Sequence, residues 1–317
     1  MTTGAFRYID PASYTNSAGQ HVKPWSKVDG PGTSFKLTNH KRSVENIRGR
    51  ESAFSTDTSG FAVYKSPAQE VSFTDDKAVR EGYYKEVEAL LREKLPGIKK
   101  VVIFDHTIRK REKSAPRQPV QQVHVDQTVG AAETRVRRHL PADEAEELLK
   151  GRYQIINVWR PIAHPATDFP LAVIDWRTTS PGDFIEVDLL YPKWTFLANG
   201  TGATARNGTQ HDDHDDDDRG KEVVPDPDSV ESTENYEVKG ETFAVAPNEK
   251  HKFFYMKDMT PEEVMFIKCF DSRGQGLPKG VKGLARCTPH TAFVDPQTPE
   301  DAPGRQSIEL RCLVFYE

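Results

Sequence analysis

Cysteine is scarce in this chain of 317 residues: Cys269, Cys287 and Cys312 stand apart, with no Cys-x-x-Cys pair. An odd, sparse set argues against a disulfide framework and against a thiolate zinc site. Long apolar runs are missing too. Nothing approaches the roughly 18 consecutive apolar residues of a membrane helix, and Met1 to Tyr8 lacks the apolar region of a secretory signal. Positive charge is not in excess, the formal net charge being -5. Without a clustered basic face there is no electrostatic footprint for nucleic acid. These absences lead to the expectation of a cytoplasmic protein in a reducing setting, with neither membrane nor nucleic acid as partner.

The apolar share, 36%, is enough for a sizeable core, and the length fits one large domain as easily as two. Residues 1 to about 60 are rich in Gly, Ser, Thr and charge, and read as an extended N-terminal arm wrapping a core. Residues 61–317 read as a single domain. Its first element is a helix from about Asp76 to Leu95, where Val79, Tyr83, Val87, Leu90 and Leu91 recur at three- and four-residue steps. Thr74 or Asp75 can cap its start, and Pro96-Gly97 stops it. A shorter helix is expected over Ala142 to Lys150, between Pro141 and Gly151.

Most of the remainder reads as strands. Lys100–Ile108, Val120–Asp126, Tyr153–Ile162, Leu171–Trp176, Phe184–Leu190, Glu241–Ala246, Lys252–Lys257, Val264–Phe270 and Ser307–Tyr316 are short and rich in Val, Ile, Phe and Tyr. Many short strands after a front-loaded helix suggest a sandwich or closed barrel with the helix on its outer face. From about 199 to 234 the chain loses nearly all large apolar residues and carries two histidines among six aspartates at 211–218. A divalent metal could bind there, but ligands need a second shell to hold them. The preferred reading is a flexible, self-repelling acidic insertion.

Of ten histidines, His124 stands out, because Asp126 lies two residues on in a strand-like segment. Side chains two apart on a strand project to the same face, so an imidazole and a carboxylate converge there. This is two-thirds of a 2-His-1-carboxylate facial triad, which leaves positions open for co-substrate and oxygen. Nitrogen and hard oxygen ligands without thiolate suit Fe(II), though they do not exclude zinc or manganese. Two histidines compete for the third place. His251 opens the strand-like Lys252-Phe-Phe-Tyr-Met256 after a short turn, where the distal ligand of a double-stranded β-helix should lie, and is preferred. His290, in Cys287-Thr-Pro-His-Thr-Ala-Phe293, is the rival, and precedes Arg305-Gln-Ser307.

A carboxylate-bearing co-substrate needs a cation, and a planar guanidinium grips a carboxylate bidentately. On the last strand Arg305, Ser307, Glu309 and Arg311 alternate to one side, and Ile308, Leu310, Cys312 and Val314 to the other. Such a polar row is costly on a core strand unless it is paired or binds a ligand; an internal Glu309–arginine bridge is the competing explanation. Arg160 and Lys268 are further candidates. Tyr83, Trp159, Trp176, Trp194 and Phe254 could line an apolar pocket, with core packing the expected use of each.

Nine segments in order resemble the fungal gibberellin-desaturase-like oxygenases, a family that also takes in a component related to cephem methoxylation. They are Gly82-Tyr-Tyr-Lys-Glu-Val87, Phe104-Asp-His-Thr-Ile-Arg109, His124-Val-Asp126, Asn157-Val-Trp-Arg-Pro161 and Pro170-Leu-Ala-Val173, then His251-Lys-Phe-Phe-Tyr255, Glu263-Val-Met-Phe-Ile-Lys-Cys-Phe-Asp-Ser272, His290-Thr-Ala-Phe293 and Arg305-Gln-Ser-Ile-Glu-Leu-Arg311. They cover roughly residues 60 to 317.

The resemblance implies a mainly β protein with flanking helices, a double-stranded β-helix (jelly-roll, cupin-like) barrel. It also implies an Fe(II)/2-oxoglutarate-dependent dioxygenase that uses O2 on small molecules of fungal secondary metabolism. Hydroxylation, desaturation or oxidative ring formation would follow hydrogen abstraction. On this reading His124, Asp126 and His251 hold the metal, and Arg305, Ser307, Arg311 or Arg160 anchor 2-oxoglutarate. A carboxylate at position 126, where a small residue would free a place for halide, points to oxygenation or desaturation over halogenation. The alternatives are a zinc-dependent hydrolase using the same triad and a non-catalytic carboxylate-binding barrel. A homodimer is compatible with all three.

Overall fold

Strands account for most of the regular structure, as the runs of Val, Ile, Phe and Tyr require. The computed structural model describes residues 1–28, 30, 32–70, 73–112, 115, 117–193 and 230–317. In chain order the strands are β1 (Thr2–Ile9), β2 (Trp25–Lys27), β3 (Leu37–Asn46), β4 (Phe61–Lys65), β5 (Ile98–Lys110), β6 (His124–Val125) and β7 (Tyr153–Pro161). They continue with β8 (Leu171–Ile174), β9 (Phe184–Pro192), β10 (Tyr236–Val245), β11 (Phe253–Tyr255), β12 (Glu263–Asp271), β13 (His290–Ala292) and β14 (Gln306–Tyr316). A nine-stranded sheet runs β1-β3-β11-β8-β13-β6-β10-β9-β2, and a five-stranded sheet runs β4-β12-β7-β14-β5. Pairing is mostly antiparallel, with β3–β11 and β2–β9 parallel.

The main core lies between the two sheets. Ile155 and Trp159 of β7, Met265 and Ile267 of β12, and Leu313 and Phe315 of β14 meet Leu171, Val173 and Phe254 of the larger sheet there. This is the mainly β jelly-roll arrangement that the resemblance implied. The other face of the five-stranded sheet is apolar as well: Ile156, Val158, Phe266, Ile308, Leu310, Cys312 and Val314 pack on a helical segment. A strand covered on both faces reads as a continuous buried run, which is what β7 shows.

That helical segment comprises α1 (Asp76–Ala78), a π-turn over Val79–Tyr83, and α2 (Tyr84–Lys94). The Asp75 carboxylate caps it by accepting from the Lys77 N–H. All five residues of the expected stripe, Val79, Tyr83, Val87, Leu90 and Leu91, are buried, each worth roughly 1.5–3 kcal/mol over exposure. The chain leaves the helix at Leu95 in an extended conformation.

Three local expectations change. The first residues do more than wrap the core: β1 pairs with β3 along its whole length, and Phe6, Tyr8 and Ile9 are buried. The strand expected over Val120–Asp126 shrinks to the two residues of β6. Pro119 lacks a backbone N–H for a ladder, and Gln122 makes only an isolated bridge to Arg7. An unforeseen α3 (Val129–His139) follows, and α4 (Ala142–Leu148) lies within the expected second helix. Only Ala132 and Val136 of α3 are buried, too thin a stripe to register as periodicity. Its end signals were nonetheless written in the chain: Thr128 Oγ1 accepts from Ala131 N–H at 3.1 Å, and Arg137, Arg138 and His139 fill the last turn.

Arg160, one position out of phase with Trp159, points to the helix side of β7. Its Nε donates to the Tyr83 hydroxyl at 2.9 Å, and its Nη1 to the Pro261 carbonyl. Tyr83→Phe is expected to strand that Nε in the core and lower the unfolding free energy by about 1–3 kcal/mol. Urea unfolding of the purified protein measures it; an unchanged midpoint would show that Arg160 does not depend on the tyrosine.

Candidate functional site

Two short strands bring two histidines side by side. His124 of β6 and His290 of β13 are direct antiparallel partners, and residues opposite each other in a ladder share a face with Cβ atoms about 4.5–5.5 Å apart. Their rings lie 4.4 Å apart between centroids. Asp126, two residues beyond His124, joins the same face. One donor atom from each of His124, Asp126 and His290 lies within 4.8 Å of the other two. Each imidazole is oriented from behind: His124 Nδ1 donates to the Gln122 carbonyl at 2.8 Å, and His290 Nδ1 to the Thr288 carbonyl at 3.1 Å. A carbonyl only accepts, so Nδ1 carries a proton in both rings, and the neutral form of each keeps its lone pair on Nε2, free for a metal.

The two oxygens of Asp126 have different neighbours. Oδ1 is 3.5 Å from His124 Nε2. Oδ2 accepts from Asn157 Nδ2 at 2.7 Å and has Arg311 Nε at 3.7 Å. Arg311 also donates to Asp105 and lies 3.5 Å from Glu309. Among its expected roles, then, the structure favours the internal ion pair over a co-substrate anchor.

A narrow cleft adjoins the three residues, lined by His124, Asp126 and His290 together with Arg305, Ser307 and Trp159. Arg305 is almost fully buried. It donates through Nη1 to the Phe169 carbonyl at 2.7 Å and lies over the Trp159 ring at 5.6 Å, while its buried Nε has no partner. Burial, followed by the nearby positive charge of Arg109, pushes its pKa down to about 9. Such an under-compensated cation gains by meeting an anion. Arg109 and Thr107 line the same cleft; the sequence reading did not single them out, although they stand opposite Ser307 and Glu309 in the β5–β14 ladder. A second cavity, about 320 Å³, opens on Asp126 from the other side, between α3 and strands β9 and β10. Gln127, Thr134, Arg138, Tyr191 and Glu241 are among its lining.

His251 is not part of this group, which corrects the expected third member to His290. Its imidazole is buried between the Tyr8 hydroxyl, 2.9 Å from Nδ1, and the Asp183 carboxylate, 3.0 Å from Nε2. Both ring nitrogens are thus engaged by protein, and burial holds the pKa below the ordinary imidazole range. Two other candidates are likewise used structurally. Arg160 faces away from the site, and Lys268 is buried between Asp271, Asp57 and the Ala285 carbonyl. Of the aromatic candidates only Trp159 lines the cleft; Tyr83 and Phe254 pack in the cores and Trp176 lies against Phe184. Trp194 and the histidine–aspartate run at 211–218 fall outside the described residues.

A family model described as an oxidoreductase/YMDC permease-like domain matches residues 6–213 and 220–315. No helix among the described residues is long and apolar enough to cross a membrane. The chain is 30% identical to the hydroxylase/desaturase efuI of Hormonema carpetanum, over 90% of this chain and 86% of that one. It is 32% identical to the hydroxylase/desaturase CTB9 of Cercospora beticola, over 86% and 76%. Among solved structures it is similar to the iron and alpha-ketoglutarate-dependent endoperoxidase NvfI, with a TM-score of 0.70 and 26% identity, covering 99% of this chain and 97% of that one. The chain therefore belongs to this oxidoreductase family, in the branch of the fungal hydroxylase/desaturases and Fe(II)/2-oxoglutarate-dependent dioxygenases.

Proposed function

We propose that His124, Asp126 and His290 hold the Fe(II) of this oxygenase, that Arg305 with Ser307 grips the far carboxylate of 2-oxoglutarate, and that a small-molecule substrate approaches from the cavity beside Asp126. The observation that carries the reading is the convergence of two Nδ1-anchored imidazoles and one carboxylate next to a buried, under-neutralised arginine. The donor set fits the metal: two neutral nitrogens and one hard oxygen on one side leave the opposite side open. It fits the co-substrate equally, because the Nε of Arg305 lacks an acceptor that a carboxylate oxygen would supply.

Fe(II) and 2-oxoglutarate together, when bound, supply the activation of O2: the keto acid becomes succinate and CO2, and a substrate C–H becomes C–OH, or two hydrogens leave as water in a desaturation. The protein's own side chains do the rest. The backbone carbonyls of Gln122 and Thr288 fix the tautomer and tilt of the two rings. Arg109 adds positive charge to the cleft, and Trp159, Leu171 and Ala292 give it dry walls. The 320 Å³ cavity falls within the size range of small-molecule sites, and its mixed lining suits a substrate of the secondary-metabolite kind. The three thiols are all buried and unpaired, as a reducing compartment such as the cytoplasm would leave them.

The direct test is O2 uptake and succinate release by the purified protein with Fe(II), 2-oxoglutarate and ascorbate. His290→Ala is expected to abolish both and to weaken metal binding by more than the roughly 10–100-fold typical of outer-shell changes. His251→Gln is expected to keep metal binding and turnover while losing stability; the reverse pattern would return the third place to His251. Arg305→Leu should raise the KM for 2-oxoglutarate by roughly 10–100-fold, the worth of a charged hydrogen bond, with metal affinity unchanged. Thr134→Trp, which fills the larger cavity, should leave substrate-independent succinate release intact and suppress turnover of any true substrate. Full substrate turnover in that variant would place the substrate elsewhere.

A further inference from the structure

Asn157 is wholly buried, yet its Oδ1 has no hydrogen-bond partner. A buried unsatisfied amide oxygen costs about 1–3 kcal/mol, and Leu has the same heavy-atom branching without that polar atom. The amide is therefore kept for what its other end does. Nδ2 donates at 2.7 Å to Asp126 Oδ2, and the assignment of the two amide ends is unambiguous: turned over, Oδ1 would face a carboxylate oxygen. Directly opposite Asn157 in the β7–β14 ladder stands Arg311, whose Nε lies 3.7 Å from the same Oδ2. Arg311 is held in turn by Asp105 and Thr107. One cross-strand pair thus addresses one oxygen of Asp126, while the other, Oδ1, faces His124.

We propose that Asn157, backed by Arg311, is a positioning residue that makes Asp126 a one-oxygen metal ligand and preserves the open coordination position a rotating or chelating carboxylate would take. The inference rests on the metal-centre reading above. Its physical basis is selective engagement: a carboxylate oxygen that already accepts a charge-assisted hydrogen bond in a dry site gives it up at a cost, so the partner oxygen is the one offered. The clamp comes from the five-stranded sheet and the ligand from the nine-stranded sheet, so Asp126 is held across the core by a strand pair that contributes no ligand itself.

The test is titration of Co(II) into the full chain stripped of metal by a chelator, followed by visible absorption, with unfolding of the metal-free protein measured alongside. In Asn157→Leu, Co(II) affinity should fall roughly 10–100-fold, while the metal-free protein loses some stability, because the lost donor to Asp126 is only partly offset by removal of the orphaned oxygen. The Co(II) spectrum should also change, as the released carboxylate is free to offer either oxygen or both. Asn157→Asp keeps the shape and replaces the donor by an acceptor; it should weaken Co(II) at least as much. Unchanged affinity and spectrum in both variants would overturn the proposal. So would a loss of metal affinity with an unchanged Co(II) spectrum, since a merely structural asparagine would not alter how Asp126 meets the metal. Failure of the wild-type chain to bind Co(II) would instead bring down the metal centre on which the proposal stands.

Discussion

The pairing of His124 with His290 is the contact on which the site depends. It joins β6 and β13, two of the shortest strands in the nine-stranded sheet, and neither could keep its register alone. Their neighbours keep it for them: Ala244 of β10 stands opposite His124, and Val173 of β8 opposite His290. Because strand side chains alternate, a slip of one residue would send a histidine to the wrong face. The longer, apolar strands on either side are thus as necessary to the site as its own residues. The carbonyls of Gln122 and Thr288, each two residues before its histidine, then set the rings.

The five-stranded sheet solves a different problem, carrying polar groups into a core. Along β14 and β7 one face is apolar and seals against the helical segment, while the other presents Asn157, Trp159, Ser307, Glu309 and Arg311, with Arg305 just before β14. Arg311 is answered by Asp105 on the neighbouring strand and lies 3.5 Å from Glu309. Arg305 and Asn157 each keep one polar atom without a partner. Departures from polar satisfaction gather where a fold gives up stability for function, and here Arg305 lines the cleft while Asn157 bonds Asp126, another of its lining residues.

How far the chain could be read without its fold varied by feature. The stripe Val79, Tyr83, Val87, Leu90 and Leu91 declared a helix because each turn contributes to one buried face, and the alternation from Arg305 to Val314 declared both faces of β14. The helix α3 escaped notice because its burial rests on Ala132 and Val136 alone. Arg160 was misplaced by chemistry outweighing parity: it sits one residue from Trp159, so it could not share that residue's face. The preference for His251 over His290 followed the turn-then-strand pattern around it, and nothing local reveals that Tyr8 and Asp183 occupy both of its nitrogens.

The sequence by itself determined the properties that depend on neighbours in the chain. These are a mainly β architecture, a helix with one apolar face, the shared face of His124 and Asp126, and the two-sided character of the last strand, all consequences of fixed backbone periodicities. The ordered motifs also carried the family. Only the tertiary structure decided which histidine stands beside His124 and Asp126, which arginine is left short of counter-charge, and which oxygen of Asp126 meets Asn157. Those outcomes depend on sheet order and on contacts between residues far apart in the chain. Local periodicity says which face a side chain takes, and long-range strand pairing says what it meets there.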